Sequence, residues 1–317
     1  KWVAVGDSTG SKILYSSDGI AWSDATSGGE LLNDIGNDVK WNGSIWVVVG
    51  GDGNASNPSI VYSTDGENWS EVTDSGADIF SGFGYDVVWN GKIWIAAGQG
   101  TNTLAYSYDG QNWTGLGTDV FSTAAYGLGV RADPVPTLES TGAPVKWVAG
   151  LTADNNKIAY SYDGIHWHIA SNTATTASNF LAVRYNGKMW LAGSNTVANG
   201  QPLIYYSYDG ISWNPAINAD DTLFMQLIRG IFWADNKWVF VGSGNIDNNN
   251  IYVSTDGFNV TQSTNADSIF AGIIYNTIYI QEQEKWYAVG QINGGTNCVA
   301  SSEDGLTWTG LGGTDIF

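Results

Sequence analysis

The stretch Ser16-Ser17-Asp18-Gly19-Ile20-Ala21-Trp22 decides the fold, because its pattern, Ser-x-Asp-Gly-x-x-Trp, does not stop there. It returns around Asp65, Asp109, Asp163, Asp209, Asp256 and Asp304, so the chain carries seven copies in all. Their separations run from 44 residues (Asp65 to Asp109) to 54 residues (Asp109 to Asp163). Only the copy at Asp256 departs from the pattern, with Val260 where the others have Trp. A period of this size is the signature of an architecture in which each repeat is one supersecondary unit.

Working outward from the motif, each copy follows a segment of the type Trp-Val-Ala-Val-Gly, which starts at Trp2, Trp46, Trp94, Trp147, Trp190, Trp238 and Trp286. Further upstream lie Trp41-Asn42-Gly43, Trp89-Asn90-Gly91 and Tyr185-Asn186-Gly187. Seven tryptophans open the second strand and six close the motif. With Trp41, Trp89 and Trp233 in the first strand, they account for all 16 in the protein. Aromatic residues tied to a repeat in this way read as core between successive sheets. Each repeat therefore reads as four short strands, A to D. Asn-Gly joins A to B and Asp-Gly joins C to D, the two-residue hairpin signal in which both central residues take positive φ. In the motif, the Ser and Asp side chains bond nearby backbone groups and pin the turn, and the Trp covers it. The composition agrees, with 41 glycines and only 14% charged residues. The fold class predicted is all-β: a single seven-bladed β-propeller over residues 1–317, built of four-stranded antiparallel blades.

The motif resembles the Asp-box of sialidases, sortilin-type receptors and photosystem assembly factors, all of them β-propeller proteins. It is also similar to the Tyr-Ser-x-Asp-Gly-x-x-Trp repeats of bacterial, phage and large-virus surface proteins. The usual Asp-box has one more residue between Asp and Trp, so the copies here are a variant. The resemblance covers nearly the whole chain. It implies the propeller fold and a structural role for Asp18, Asp65, Asp109, Asp163, Asp209, Asp256 and Asp304. It also implies an extracellular, virion-surface or cell-surface setting. The chain begins in strand B of the first repeat, which therefore lacks its inner strand A. It ends at Thr314-Asp315-Ile316-Phe317, matching Asp78-Ile79-Phe80, which elsewhere leads into a strand A at Gly84–Val88. The expectation is that the natural chain continues past Phe317 and supplies the missing strand.

Charge narrows the partners. Twelve Lys and Arg face 31 Asp and Glu, a formal charge of −19. A nucleic-acid surface needs clustered cations to displace counterions, so nucleic acid is excluded. No stretch reaches the roughly 20 apolar residues of a membrane helix, so no membrane insertion is expected. Cys298 stands alone and forms no internal disulfide.

In a four-stranded meander the A–B and C–D turns lie at one end, and the B–C and D–A loops at the other. The second set is longer and more polar, as in Gly51 to Asn57, Asn195 to Gln201 and Asn245 to Asn250. Such loops on a rigid scaffold are where binding resides. On the first face, Asp133 to Pro144 and Gln281 to Glu284 read as surface insertions. The D–A loops repeat an acid followed closely by Phe: Asp78/Phe80, Asp119/Phe121, Asp221/Phe224, Asp267/Phe270 and Asp315/Phe317. These read either as loop anchors or as a ring of carboxylates that binds sugar hydroxyls or a cation. Arg131 and Arg184 occupy equivalent strand-A positions, as does Lys40, and are further candidates for ligand binding.

Catalytic machinery is not assembled in the sequence. A sialidase needs three arginines on the substrate carboxylate and a Tyr nucleophile with an acidic partner. The only arginines here are Arg131, Arg184 and Arg229. Asp52, Asp154 and Asp247 sit in oxygen-rich loops and are the calcium candidates, without the full EF-hand spacing. No other cofactor is expected. His166 and His168 make half a zinc site at best. The functional expectation is a non-catalytic recognition head for a glycan or cell-surface receptor. The alternatives are a glycoside hydrolase of sialidase-like architecture and a scaffold that binds protein partners.

Overall fold

The computed structural model describes residues 1–6, 11–19, 21–72, 79–119, 126–132, 147–152, 158–171, 179–195, 203–216, 227–243, 251–270, 272–290 and 299–311, with the side chains of 126–132, 151–152 and 267 left aside. The chain divides into two compact units, Lys1–Ile169 and Ala170–Ile316.

In the first unit the first repeat gives a three-stranded sheet of β1 (Trp2–Val5), β2 (Ile13–Ser16) and β3 (Ser23–Asp24). The next gives β4 (Ile35–Trp41), β5 (Trp46–Gly51), β6 (Ile60–Ser63) and β7 (Ser70–Glu71). The third gives β8 (Gly84–Trp89), β9 (Trp94–Gly98), β10 (Leu104–Ser107) and β11 (Thr114–Gly115). The fourth gives β12 (Tyr126–Ala132), β13 (Trp147–Thr152), β14 (Ile158–Ser161) and β15 (Trp167–Ile169).

The second unit repeats the scheme three times. Its sheets are β16 (Asn179–Tyr185), β17 (Trp190–Asn195), β18 (Ile204–Ser207) and β19 (Asn214–Pro215), then β20 (Leu227–Ala234), β21 (Lys237–Ser243), β22 (Ile251–Ser254) and β23 (Thr261–Gln262). The last is β24 (Ile274–Ile280), β25 (Lys285–Gly290), β26 (Val299–Ser302) and β27 (Thr309–Gly310). All pairings within a repeat are antiparallel between consecutive strands. The described helical residues are one turn at Ala266–Ile269 and a 3-10 turn at Gln281–Gln283.

The second strands β5, β9, β17 and β21 are covered on both faces. Val47, Val48 and Val49 of β5 are fully buried, as are Trp94 to Ala97 of β9. That burial explains why these strands read as continuous apolar runs rather than alternating ones. Sheets pack face on face within a unit. Ile93 and Ile95 lie against Trp147, Ala149 and Trp167, and Val239 and Val241 lie against Trp286 and Ala288. Two tryptophans leave this scheme. Trp2 is 40% exposed and Trp41 42% exposed, so core does not describe them. Trp2 lacks the cross-strand aromatic that covers its equivalents, as Trp89 covers Trp94 at 5.1 Å and Tyr185 covers Trp190 at 4.8 Å.

The turns differ from the two-residue hairpins the sequence predicts. At Asn42-Gly43 only the glycine has positive φ (100°), and the same holds at Gly91 and Gly187. The connection is a four-residue loop. In it Asn42 Oδ1 accepts the N–H groups of Ser44 and Ile45 at 2.9 and 2.8 Å, and Asn90 and Asn186 do the same in their repeats. The Asn side chain thus replaces the left-handed conformation with an Asx cap. Among the described residues, the hairpin with two positive φ values is Asp235-Asn236, at 48° and 55°, where Ala234 pairs with Lys237. In the Asp-Gly turns, too, the glycine alone has positive φ.

Adjacent repeats are laced at the outer edge. Thr26 N–H donates to the Glu67 carbonyl and Trp69 N–H to the Ser27 carbonyl. Ser171 and Trp213 repeat the scheme, and Asn265 Nδ2 donates to the Trp308 carbonyl. The segment leaving each of these repeats is therefore paired to the motif of the next.

Candidate functional site

The seven Ser-x-Asp-Gly turns are one structure copied. In every copy the Ser hydroxyl donates to Asp Oδ1 at 2.9–3.1 Å. The Ser Oγ in turn accepts the glycine N–H at 2.8 Å. Asp109 Oδ1 also takes the N–H groups of Gln111 and Asn112, both at 2.8 Å, and its Oδ2 takes Asn112 Nδ2 at 2.7 Å. Gly110 has φ 79°, a conformation that strains any residue with a side chain, and a Cβ there would also lie only 3.1 Å from the Trp94 ring nitrogen. Trp113 closes the turn by donating its ring N–H to the Gly110 carbonyl at 3.1 Å.

The electrostatics follow from those donors. Burial pushes the Asp109 carboxyl up, but the hydrogen bonds from Asn112, Gln111 and Ser107 outweigh it and bring the pKa to about 2. Asp256 behaves alike, at about 2. The carboxyl of Asp65 is lowered chiefly by the Asn68 side chain. In Asp163, Asp209 and Asp304 the hydrogen bonds again overcome the upward push of burial. A carboxylate held this firmly ionised and saturated with N–H donors is fitted to hold a turn and not to transfer protons.

The candidate loop residues are placed as follows. Asp52 Oδ2 accepts Asn33 Nδ2 and Asn57 Nδ2, both at 2.7 Å, and its Oδ1 accepts Asn54 N–H at 2.8 Å. Burial pushes this carboxyl up, and the donors from Asn33, Asn54 and Asn57 bring it below the usual range. A calcium ion at Asp52 would have to displace these donors. Asp119 is exposed. Asp78, Asp221, Asp315, Asp154 and Asp247 lie outside the described residues, as do the side chains of Asp267 and Arg131. Phe80 and Phe270 of the acid–Phe elements are fully buried, each against the glycine that ends a second strand, Gly98 or Gly290. His166 Nδ1 faces Asp163 Oδ2 at 2.7 Å, and His168 packs on Tyr160. Among the described residues no three His, Cys, Asp or Glu side chains form a group able to hold a metal, and no helix is long and apolar enough to cross a membrane.

The inner strands carry a feature the sequence reading missed. In β4, β8, β16, β20 and β24 one extra residue interrupts the pairing at the same place: Asn37, Tyr85, Leu181, Arg229 and Tyr275. A bulge re-aims its side chain. Asn37 Nδ2 donates to the Gly84 carbonyl of the neighbouring inner strand at 2.7 Å, and Tyr85 OH donates to Gln99 Oε1 at 2.7 Å. Arg229 and Tyr275 instead face solvent. The Arg229 guanidinium carbon stands over the Tyr275 ring, 5.5 Å from its centroid. Nearer the turn, Arg184 pairs opposite Leu191, as Lys40 pairs opposite Val47 and Arg131 opposite Val148. The Arg184 guanidinium lies 4.4 Å from the Phe232 ring centroid. Lys40 binds Asp38 at 2.7 and 2.9 Å. The signal available in the sequence was positional. Aligning the inner strands on the aromatic before each turn puts Arg229 and Tyr275 four residues upstream of Trp233 and Tyr279.

No protein-family model and no curated protein matches the chain. Among solved structures it is similar to YCF48 bound to D1 peptide, with a TM-score of 0.54 and 14% identity over 87% of this chain and 82% of that one. It is also similar to the WD40 β-propeller domain of Doa1, with a TM-score of 0.51 and 12% identity over 86% and 81%. The fold is a β-propeller. At these identities the likeness shows the architecture and nothing of activity. Within this propeller fold, the Ser-x-Asp-Gly turns serve the scaffold, and among the described bulge residues of the inner strands the polar ones left facing solvent are Arg229 and Tyr275.

Proposed function

We propose that the seven repeats form a single seven-bladed propeller that acts as a non-catalytic recognition module for a protein partner. The observation that carries this reading is the exposed Arg229–Tyr275 pair on a scaffold whose repeated carboxylates are otherwise committed to its own turns. Arg and Tyr are the residue types enriched at the energetic centres of protein interfaces. A bulge on a strand holds them more rigidly than a loop would. Ile278 on the same inner strand is 51% exposed and adds apolar area beside them. The similar fold of YCF48, solved with a bound D1 peptide, is consistent with a peptide ligand.

The test is selection from a displayed peptide library against the intact chain, with a Tyr275→Ala variant for counter-selection and a glycan array run in parallel. Peptides that bind the wild-type chain and lose at least about tenfold in affinity on the variant support the reading. Glycan binding that is sensitive to Tyr275 would replace it with carbohydrate recognition. No selective binder in either format overturns it.

A further inference from the structure

We propose that Arg229 and Tyr275 form a receptor for a peptide carboxylate, an inference that rests on the protein-recognition reading and names its chemistry. The chain holds only three arginines, and Arg131, Arg184 and Arg229 all lie on the inner strands of three consecutive repeats, β12, β16 and β20. In a protein of charge −19 with 31 carboxylates, the expected neighbour of a guanidinium is an internal Asp or Glu. Lys40, Lys237 and Lys285 find one, at Asp38, Asp235 and Glu303. Arg229 has none among the described residues and makes its contact with an aromatic face instead.

The backbone explains why the pair is held ready. The inner strands β20 and β24 lie side by side, so that a Cβ on Gly230 would be in ordinary contact, at 3.5 Å, with the Tyr275 carbonyl oxygen. Glycine at 230 is fitted instead to β21, since a Cβ there would meet Val241 Cγ2 at 2.8 Å, and the extra residue on each strand turns Arg229 and Tyr275 outward together. Stacking on the ring limits the rotamers of the guanidinium without using its N–H donors. Those donors form a planar fork matched to a carboxylate. The Tyr275 hydroxyl supplies a further donor, and it has no partner among the described residues. The net charge of −19 repels a free anion, so a carboxylate carried on a peptide whose apolar side chains cover Tyr275 and Ile278 is favoured over a bare ion.

The experiment uses the intact chain labelled with 15N at arginine, where three Nε–H signals are expected and Arg229→Gln identifies one. Three probes are titrated: N-acetyl-phenylalanine, N-acetyl-phenylalaninamide, and N-acetyl-glutamic acid 1-amide. The first mimics a chain terminus and the last a side chain. The expected result is saturable movement of the Arg229 signal with one or both carboxylates. The neutral amide should bind about tenfold more weakly or worse, the loss of one charge-assisted pair. Tyr275→Phe should weaken carboxylate binding about threefold or more. Which carboxylate binds more tightly distinguishes a terminus from a side chain. Equal binding of amide and acid, uniform movement of all three signals, or no movement overturns the proposal. Peptides selected as above that depend on Tyr275 but bind equally when amidated and free of acids would sink the carboxylate while leaving protein recognition standing.

Discussion

The inner strands of the two compact units use the same bulge in opposite ways. In the first, Asn37 and Tyr85 spend their polar groups on Gly84 and Gln99, and Asp38 takes both Lys40 and the Val87 N–H. In the second, Arg229 and Tyr275 stack on one another and point to solvent. The backbone irregularity is shared, so the bulge itself is neither structural nor functional. What decides is whether the side chain it displays finds a partner on the neighbouring strand. A satisfied group adds stability, and an unsatisfied, pre-positioned one is available to a ligand.

The largest expected effect touches both units equally and sets the baseline for the comparison. The carboxylates of Asp65, Asp109, Asp163, Asp209, Asp256 and Asp304 are held below the usual carboxylate range, to about 2 in Asp109 and Asp256. Acids depressed in the folded state add stability that is complete above about pH 4, their unfolded range, and that disappears as pH falls toward about 2. The unfolding midpoint, followed by circular dichroism from pH 7 to 2, should be flat above pH 5 and fall steeply between 4 and 2. A midpoint that starts to fall near pH 6 would point to other groups.

Asp38→Ala comes next, since it strands Lys40 and the buried Val87 N–H. A loss of about 2–3 kcal/mol is expected in urea unfolding. Asn37→Ala should cost about 1–2 kcal/mol, because the Gly84 carbonyl loses its side-chain donor. The matched change in the other unit, Arg229→Gln, should alter stability by no more than about 0.5 kcal/mol, as for an exposed side chain outside any network. If Arg229→Gln destabilised the chain as much as Asn37→Ala does, the contrast between the two units would collapse. Arg229 would then be structural.

How much of this was legible in the sequence varies with the range of the forces involved. The motif fixed its own turn because every partner lies within three residues: Ser107, Asp109, Gly110 and Asn112 close on each other wherever the chain places them. The Asn-Gly reading placed its hairpins correctly but assigned them the wrong conformation. A dipeptide signal does not reveal that Asn42 Oδ1 will cap two N–H groups instead of letting Asn42 take positive φ. Of the acid–Phe elements, Asp119 is exposed, while the rings of Phe80 and Phe270 are buried, and the sequence pattern does not tell which member of a pair faces solvent. In the sequence Arg229 enters only as one of three arginines weighed for a catalytic site, because its significance depends on Tyr275, 46 residues away.

The sequence alone determined the repeat, the strand order within it, and the tryptophans and glycines that pack it. These are local or periodic properties, written again in each of seven copies. Tertiary structure decided which bulged side chains are satisfied and which are left facing water, because that turns on what the fold brings within reach, Gly84 of the next repeat for Asn37 and Gln99 of its own sheet for Tyr85. Periodicity averages over such differences, and the candidate site of this protein is one of them.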